Sequence, residues 1–521
     1  MRKRWMAISI AVVLCIFSLL GPEITATAQS DEASYTFDIR EGNIAISVGT
    51  NSGTIKVEYG NGEIVDNIYA AQEITITDSS PDTPTANVIA VNPNIEGTLN
   101  ITLDNVNISR ADASPLSING TVNLTLTGAN YLTSGYNRSI GVYSPAMPGL
   151  LVPPGATLEI TASSTGSLNA QGGTSEICGG AGVGGAGNNG YGDSSGTVII
   201  NGGTVIAIGS NGGAGIGGGR LLILNGRGGS SGSVTINGGT VTATGNDGGA
   251  GIGGGCAPLG FGGHGGAVTI NGGTVTATAN GHISGTGAAG IGGSGGTSGG
   301  NGGSVTINGG WVKATGGGGG AGIGGGPSTY TTGSGGAVTI NGGTVFAIGS
   351  SNYWGTGSGI GGGYGASASG GYIGAAGTVT ITGGSVYASS IQAAVKNSDG
   401  NGVIQAPVSG LPANTGISYT DNGGNPISCA TDPQGKIYLW LIPGTHVIGI
   451  SAGAIQYSIV GILPDTANYF EILPDDANLT MVCNQAISTT GGSGTIADPY
   501  LASIQRAIFT GSRDGGRPYA G

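Results

Sequence analysis

The sequence predicts an all-β chain: a right-handed parallel β-helix (solenoid) followed by a small antiparallel β-sandwich. Three observations carry this expectation. Short runs such as Val-Thr-Ile-Asn and Thr-Val-Thr-Ala-Thr alternate apolar with small polar residues, the period-2 pattern of half-buried strands. The runs recur at a near-constant period, the mark of stacked units that cannot bury their apolar faces alone. The 521 residues include 114 glycines and only 8% charged residues. Glycine without a strict three-residue period excludes collagen, and the strand pattern argues against the disorder such a bias otherwise suggests.

The chain opens with MRKRWMAISIAVVLCIFSLLG, a basic region followed by an apolar run over residues 7–20, and Ala26-Thr27-Ala28 supplies a cleavage signal. Residues 1–28 therefore read as an export leader rather than an anchor, because the run is short and small residues follow it. The mature chain is expected to be secreted or held at a cell surface, with no membrane insertion after leader removal. Residues 29–178 read as irregular coils of the β-helix, in runs such as FDIREGNIAISVG, GTLNITLDNVNIS and PLSINGTVNLTLTGANYLTSG.

Residues 179–398 form the regular array. TVIINGGTVIAIG, SVTINGGTVTATG, AVTINGGTVTATA, SVTINGGWVKATG, AVTINGGTVFAIG and TVTITGGSVYASS place Val198, Val234, Val268, Val305, Val338 and Val379 36, 34, 37, 33 and 41 residues apart. In one unit Val234, Ile236, Val241, Ala243 and Ile252 should point inward, and Thr235, Thr240, Thr242 and Thr244 outward. Six or seven such coils at about 4.8 Å each give a rod of roughly 30 Å. Asn201, Asn237, Asn271, Asn308 and Asn341 recur at one corner and are expected to form an internal asparagine ladder.

GGAGIGGG at residues 212–219 satisfies a dinucleotide-type glycine pattern, but it recurs at 248–255 and 319–326 with Gly, Ser, Pro and Thr after it instead of a helix. It is expected to be the third side of each coil, with Ile216, Ile252 and Ile323 buried, and no nucleotide partner is expected. Residues 399–464 carry glycine-poor alternating strands, the expected sandwich. Residues 465–521 read as a linker and an incomplete further module. LPANTG at 411–416 carries one residue too many for a sortase signal and lacks the apolar stretch that should follow.

The net charge of −12 argues against nucleic acid and anionic membranes as partners. Between residues 179 and 395 the only acids are Asp193 and Asp247 and the only bases Arg220, Arg227 and Lys313. That array lacks the paired carboxylates of glycoside hydrolysis and the base and cation of a lyase. His264 and His282 are expected to be solvated, and Asp104 and Asp112 remain the weak catalytic candidates; no catalytic residue is assigned. Four cysteines follow the leader (Cys178, Cys256, Cys429 and Cys483), none with metal-ligand spacing. Free buried thiols are the expectation, with Cys429–Cys483 the alternative.

FDIREGNIAI, LNITLDNVNIS, LSINGTVNLTLTGANYLTSG, VPPGATLEIT and the INGGTVTATG…GAGIGGG units together resemble Gly-rich β-helical surface proteins of Gram-positive bacteria labelled carbohydrate-binding domain proteins. DPQGKIYLWLIPGTH resembles the small β-domain that often follows them, and the likeness spans roughly residues 36–460. It implies a polysaccharide or surface glycan as partner. Calcium occurs in some of those relatives, held by carboxylates at coil corners, which this array scarcely offers; no cofactor is expected.

The repeat is broken where binding would be sought. Trp311 and Lys313 replace outward threonines, and Phe346 and Tyr387 follow Lys313 in the same column. Trp311, Lys313, Phe346 and Tyr387, with Tyr353 and Trp354 in the next connector, are the candidate carbohydrate-binding residues, since aromatic faces stack on sugar C–H faces. The alternatives are packing beneath a connector or against the C-terminal domain, in a chain that serves as a structural stalk.

Overall fold

The structure, a computed structural model, describes residues 34–137, 144–188, 190–281, 287–353, 355–365, 371–463, 470–471 and 481–483. The leader, His282, Trp354 and most of the tail beyond 464 lie outside the described residues.

The alternating runs wind into coils whose three walls are parallel sheets. Wall 1 has 12 strands in chain order, from Tyr35–Asp38 to Val395–Lys396. Wall 2 has nine, from Asn107–Arg110 to Ser385–Ala388, and wall 3 carries the two-residue strands Ile216–Gly217, Ile252–Gly253 and Ile323–Gly324. Nine turns at about 4.8 Å per coil make a rod near 40 Å long. It is longer than the array alone because Thr98–Asp104, Thr121–Thr127 and Thr157–Ile160 continue wall 1 in register with Thr197–Ile200.

Register follows the repeat. Val198, Val234, Val268, Val305, Val338 and Val379 pair in succession, each on the next coil. They are buried with Ile236, Val241 and Ala243 in one core running the length of the rod, and Ile216, Ile252, Ile291, Ile323 and Ile360 close it from wall 3. Wall 3 needs glycine after each isoleucine. At Gly253 φ is +149°, and a Cβ there would collide with the carbonyl oxygen of Gly292 in the next coil.

The asparagine ladder exists, but on the outside. Asn237, Asn271, Asn308 and Asn341 each donate Nδ2 to the Oδ1 of the preceding member at 2.6–2.8 Å, and Asn201 donates to Glu159 at 2.8 Å. Thr382 closes the far end on Asn341 at 2.8 Å. Alternation explains the correction: Ile236 takes the inward position, so the next residue, Asn237, must face out and is exposed.

The glycine-rich connectors are more ordered than their composition suggests. Ala257–Phe261, Gly296–Ser298, Ser328–Thr331, Tyr364–Gly365 and Tyr372–Ile373 form a fourth sheet, a lateral lobe between walls 3 and 1. At its base Arg220 is only 4% exposed and donates to Asn211, with burial depressing its pKa. Cys178, Cys256 and Cys429 are free and buried, and desolvation pushes the Cys256 and Cys429 thiols up to about 12.

Beyond the last coil, two sheets form a loose sandwich around Ile417, Leu439 and Ile450. One holds Ile404–Ser409 and Ile437–Leu441; the other holds Gly416–Asp421, Ile427–Ala430, Gly444–Ala452 and Ile455–Leu463. Phe470–Glu471 and Met481–Cys483 add a strand to each, so the sheets draw on residues beyond 464. The LPANTG segment is a turn within this domain, with Leu411 in its core. His446 is buried there: Nδ1 lies 2.9 Å from both Asp421 carboxylate oxygens and Nε2 2.7 Å from the Ile442 carbonyl. Both partners only accept, so both ring nitrogens must be protonated to satisfy them. The Asp421 hydrogen bond raises the His446 pKa above 6.5 against the opposing effect of burial.

Three expectations follow for stability. Ile252→Ala should cost about 2–5 kcal/mol, and Gly253→Ala about 3 kcal/mol or more because no side chain can yield around its Cβ. Asn271→Ala removes two exposed ladder bonds and should cost only about 1 kcal/mol; chemical denaturation ranks the three. Because the folded His446 pKa is raised, its contribution to the C-terminal domain is full below the ordinary value and lost as pH rises through the folded one. The melting temperature of that domain should fall as pH rises above the ordinary histidine value of about 6.5, and His446→Gln should flatten the dependence.

Candidate functional site

Wall 2 carries the interrupted columns. Trp311 pairs with Thr274 on one side and Thr344 on the other, while Lys313 pairs with Thr276 and Phe346, and Phe346 with Tyr387. The strand period points these side chains outward, because Val312 and Ala314 between and beside them are fully buried. Four of the six sequence-derived candidates, Trp311, Lys313, Phe346 and Tyr387, thus meet on one face. Tyr353 stands on the connector after wall 2, 91% exposed; Trp354 lies outside the described residues.

The rings form a ladder. Trp311 and Phe346 have centroids 5.8 Å apart, Phe346 and Tyr387 6.3 Å, all tilted near 47°. Such offset, inclined pairs are the favourable arrangement of ring quadrupoles. Phe346 is half-buried between its two neighbours, whereas Lys313 and Tyr387 are exposed and Trp311 partly so. Lys313 takes part in no ion pair among the described residues.

The ladder does not stop at the β-helix. Tyr438 of the C-terminal domain continues it, 5.1 Å from Tyr387. Burial and a 2.9 Å hydrogen bond to Asp432 push the Tyr438 hydroxyl pKa upward. The domain is fastened to wall 2 beside it. Tyr438 N donates to Ser385 Oγ at 3.0 Å, Trp440 Nε1 to the Val386 carbonyl at 2.9 Å, and Tyr419 Oη to the Gly384 carbonyl at 3.2 Å. Thr344 and Ser385, the residues after Trp311 in its column, are covered in this way and buried. Trp311, Lys313 and Tyr387 therefore line a ledge on wall 2 that ends at the docked domain. Sequence reasoning missed Tyr438, although IYLWL alternates and marks Tyr438 and Trp440 as facing away from the domain core.

The acids and histidines are dispersed. Asp112 pairs with Arg110, Asp104 accepts from Asn105 at 2.8 Å, and Asp193 accepts from Asn188 at 2.8 Å. Burial raises the Asp193 pKa despite that bond. His264 accepts at Nδ1 from the Asn301 backbone, 3.0 Å away, within the lobe's corner stack. Among the described residues no group of three or more His, Cys, Asp or Glu is placed to hold a metal ion.

Comparison with known proteins agrees with the coil geometry. A family model described as a beta helix repeat matches residues 198–220, 234–256, 268–296, 305–327 and 338–364, five successive coils and well under half of the chain. No curated protein and no solved structure matches the chain. The GGAGIGGG segments fall inside those matched repeats, as wall-3 strands with their coil neighbours on either side. The chain is a parallel β-helix protein, built of repeats similar to that family's.

Proposed function

We propose that this chain is an exported, non-catalytic protein that binds polysaccharide or surface glycan along the ledge of Trp311, Lys313 and Tyr387. One observation carries the reading: on wall 2, two coils of outward threonines, Thr240, Thr242, Thr244, Thr274, Thr276 and Thr278, give way to Trp311, Lys313, Phe346 and Tyr387, and Lys313 has no ion-pair partner among the described residues. Outward threonines suffice for the fold, as Thr240, Thr242, Thr274 and Thr276 illustrate on the preceding coils. Exposed rings offer flat apolar faces to sugar C–H groups, and Lys313 offers an ammonium donor beside them. Export rests on the leader at residues 1–28. The dispersal of Asp104, Asp112 and Asp193, each already bonded within the chain, supports binding without bond cleavage.

A second reading, a stalk that presents other domains, draws on the Tyr387–Tyr438 contact, which gives the ladder a purely structural use in holding the C-terminal domain. Polysaccharide pull-down with Trp311→Ala and Tyr387→Ala separates the two. Binding should weaken about tenfold for Trp311→Ala, with its thermal melt close to the parent's. Unchanged binding in both variants would leave the stalk standing. Product release from pectin, xylan or cellulose would overturn the non-catalytic assignment.

A further inference from the structure

Asn-Gly steps recur along the chain, and one of them is built differently from the rest. Glycine carries no side chain to crowd its own nitrogen, so at an Asn-Gly step that nitrogen can most readily attack the preceding side-chain carboxamide. Most of these asparagines are held. The outer ladder bonds Asn237, Asn271 and Asn308 on both sides, and Asn119, Asn280 and Asn422 donate elsewhere in the fold. Among the described residues, Asn61, Asn225 and Asn401 make no side-chain hydrogen bond.

The following nitrogen separates these three. Gly62 N donates to the Tyr59 carbonyl at 3.2 Å and Gly226 N to the Ile223 carbonyl at 2.9 Å. Gly402 N has no acceptor among the described residues. Gly402 faces Lys396 across an antiparallel bridge whose bonds are made by the neighbours: Asn397 N donates to the Asn401 carbonyl at 2.9 Å, and Val403 N to the Val395 carbonyl at 3.1 Å. Asn401 N is held by Asn397 Oδ1 at 2.9 Å. Asn401 and Gly402 are both exposed, with nothing within 4 Å of where a Gly402 Cβ would lie. Carboxamide and nucleophile are thus both free, on a backbone pinned at either side.

We propose that Asn401 is a self-modification site. Gly402 N gives up its proton and bonds to Asn401 Cγ; the Cγ–Nδ2 bond breaks, and Nδ2 leaves as ammonia with that proton. Water then opens the cyclic imide at either carbonyl, giving aspartate or isoaspartate. The position gives this reaction a consequence. The turn joins Val395–Lys396, the last strand of wall 1, to Ile404–Ser409, the first strand of the C-terminal domain. Val395 and Val403, on its two sides, both lie in the main core. An isoaspartate routes the main chain through the side-chain carbons and lengthens it, which pulls Val403 out of step with Val395. Ile404–Ser409 pairs with Ile437–Leu441, the strand whose Tyr438 and Trp440 fasten the domain to wall 2. The reaction is therefore a slow, one-way loosening of the C-terminal domain from the rod.

The test is aging of the full chain in native buffer at mildly alkaline pH, where the attacking nitrogen loses its proton more readily, followed by peptide mapping by mass spectrometry. Asn401 should convert first, and the ladder asparagines about tenfold more slowly, because their hydrogen bonds must break before the ring can close. Hydroxylamine, which cleaves the imide, should cut the folded chain between Asn401 and Gly402. Gly402→Ala crowds the nucleophile and Asn401→Gln moves the carboxamide out of reach of the favoured ring, so each should suppress the reaction. Both should fold, since Gly402 lies outside the left-handed φ region with open space for a Cβ, and Asn401 is exposed. In denaturant the preference for Asn401 over the ladder should vanish. If Asn401 converts no faster than Asn237 or Asn271 in the folded chain, or if its preference survives in denaturant, the assignment fails. The C-terminal domain should melt lower after aging in the parent and unchanged in Gly402→Ala. An aged parent rich in isoaspartate that melts like fresh protein overturns the loosening.

Discussion

Coil-to-coil approach at wall 3 is the constraint on which the rest of the molecule depends. Each coil must come close enough for backbone amides to bond to the carbonyls of the next, and at Gly184, Gly217, Gly253, Gly292 and Gly324 those carbonyls occupy the space a Cβ would need. Gly215, Gly251 and Gly290 meet the same obstacle one residue before the isoleucine peg. The isoleucines Ile216, Ile252, Ile291, Ile323 and Ile360 can then stand as a single column against the valines of walls 1 and 2. The glycine content is thus the steric cost of a tight stack rather than a sign of flexibility.

A stack of near-identical coils leaves its ends as a hazard, since an open sheet invites further pairing. Both ends are covered. At the start, Thr54–Tyr59 and Glu63–Tyr69 fold into an antiparallel hairpin beside Ile44–Val48, and buried Asp78 pairs with Arg40. At the other end the C-terminal domain fastens to Ser385 and Val386 and contributes Trp440 to the margin of the main core. The ring ladder from Trp311 to Tyr438 lies along that seam. Its chemistry and the domain docking are therefore coupled, and the ledge owes one of its boundaries to the domain.

Uniform coils also make exceptions informative. On two coils of wall 2 the outward positions are all threonine, whose short side chains fit the pleat and demand nothing. Large or charged side chains at Trp311, Lys313, Phe346 and Tyr387 go beyond what the stack needs. Buried exceptions behave differently: Arg220 is enclosed and tied to Asn211, and His446 to Asp421, so both serve local packing.

How much was legible in advance follows from the range of the forces involved. Strand alternation and the repeat period are local, so the sequence alone determined the parallel β-helix, the inward valines, the isoleucine pegs and the column shared by Lys313, Phe346 and Tyr387. It also determined that asparagines would stack, because identical residues recur at one corner. The alternation that turns Ile236 inward also turns Asn237 out, so the expectation of an internal ladder misapplied a local rule, and what no local rule reaches is how separate coils and connectors meet. Only the tertiary structure decided the lobe sheet, the burial of Arg220 and the approach of Tyr438 to Tyr387. They arise where connectors of unequal length, or residues separated by about fifty positions, meet in space, and no periodicity records such contacts.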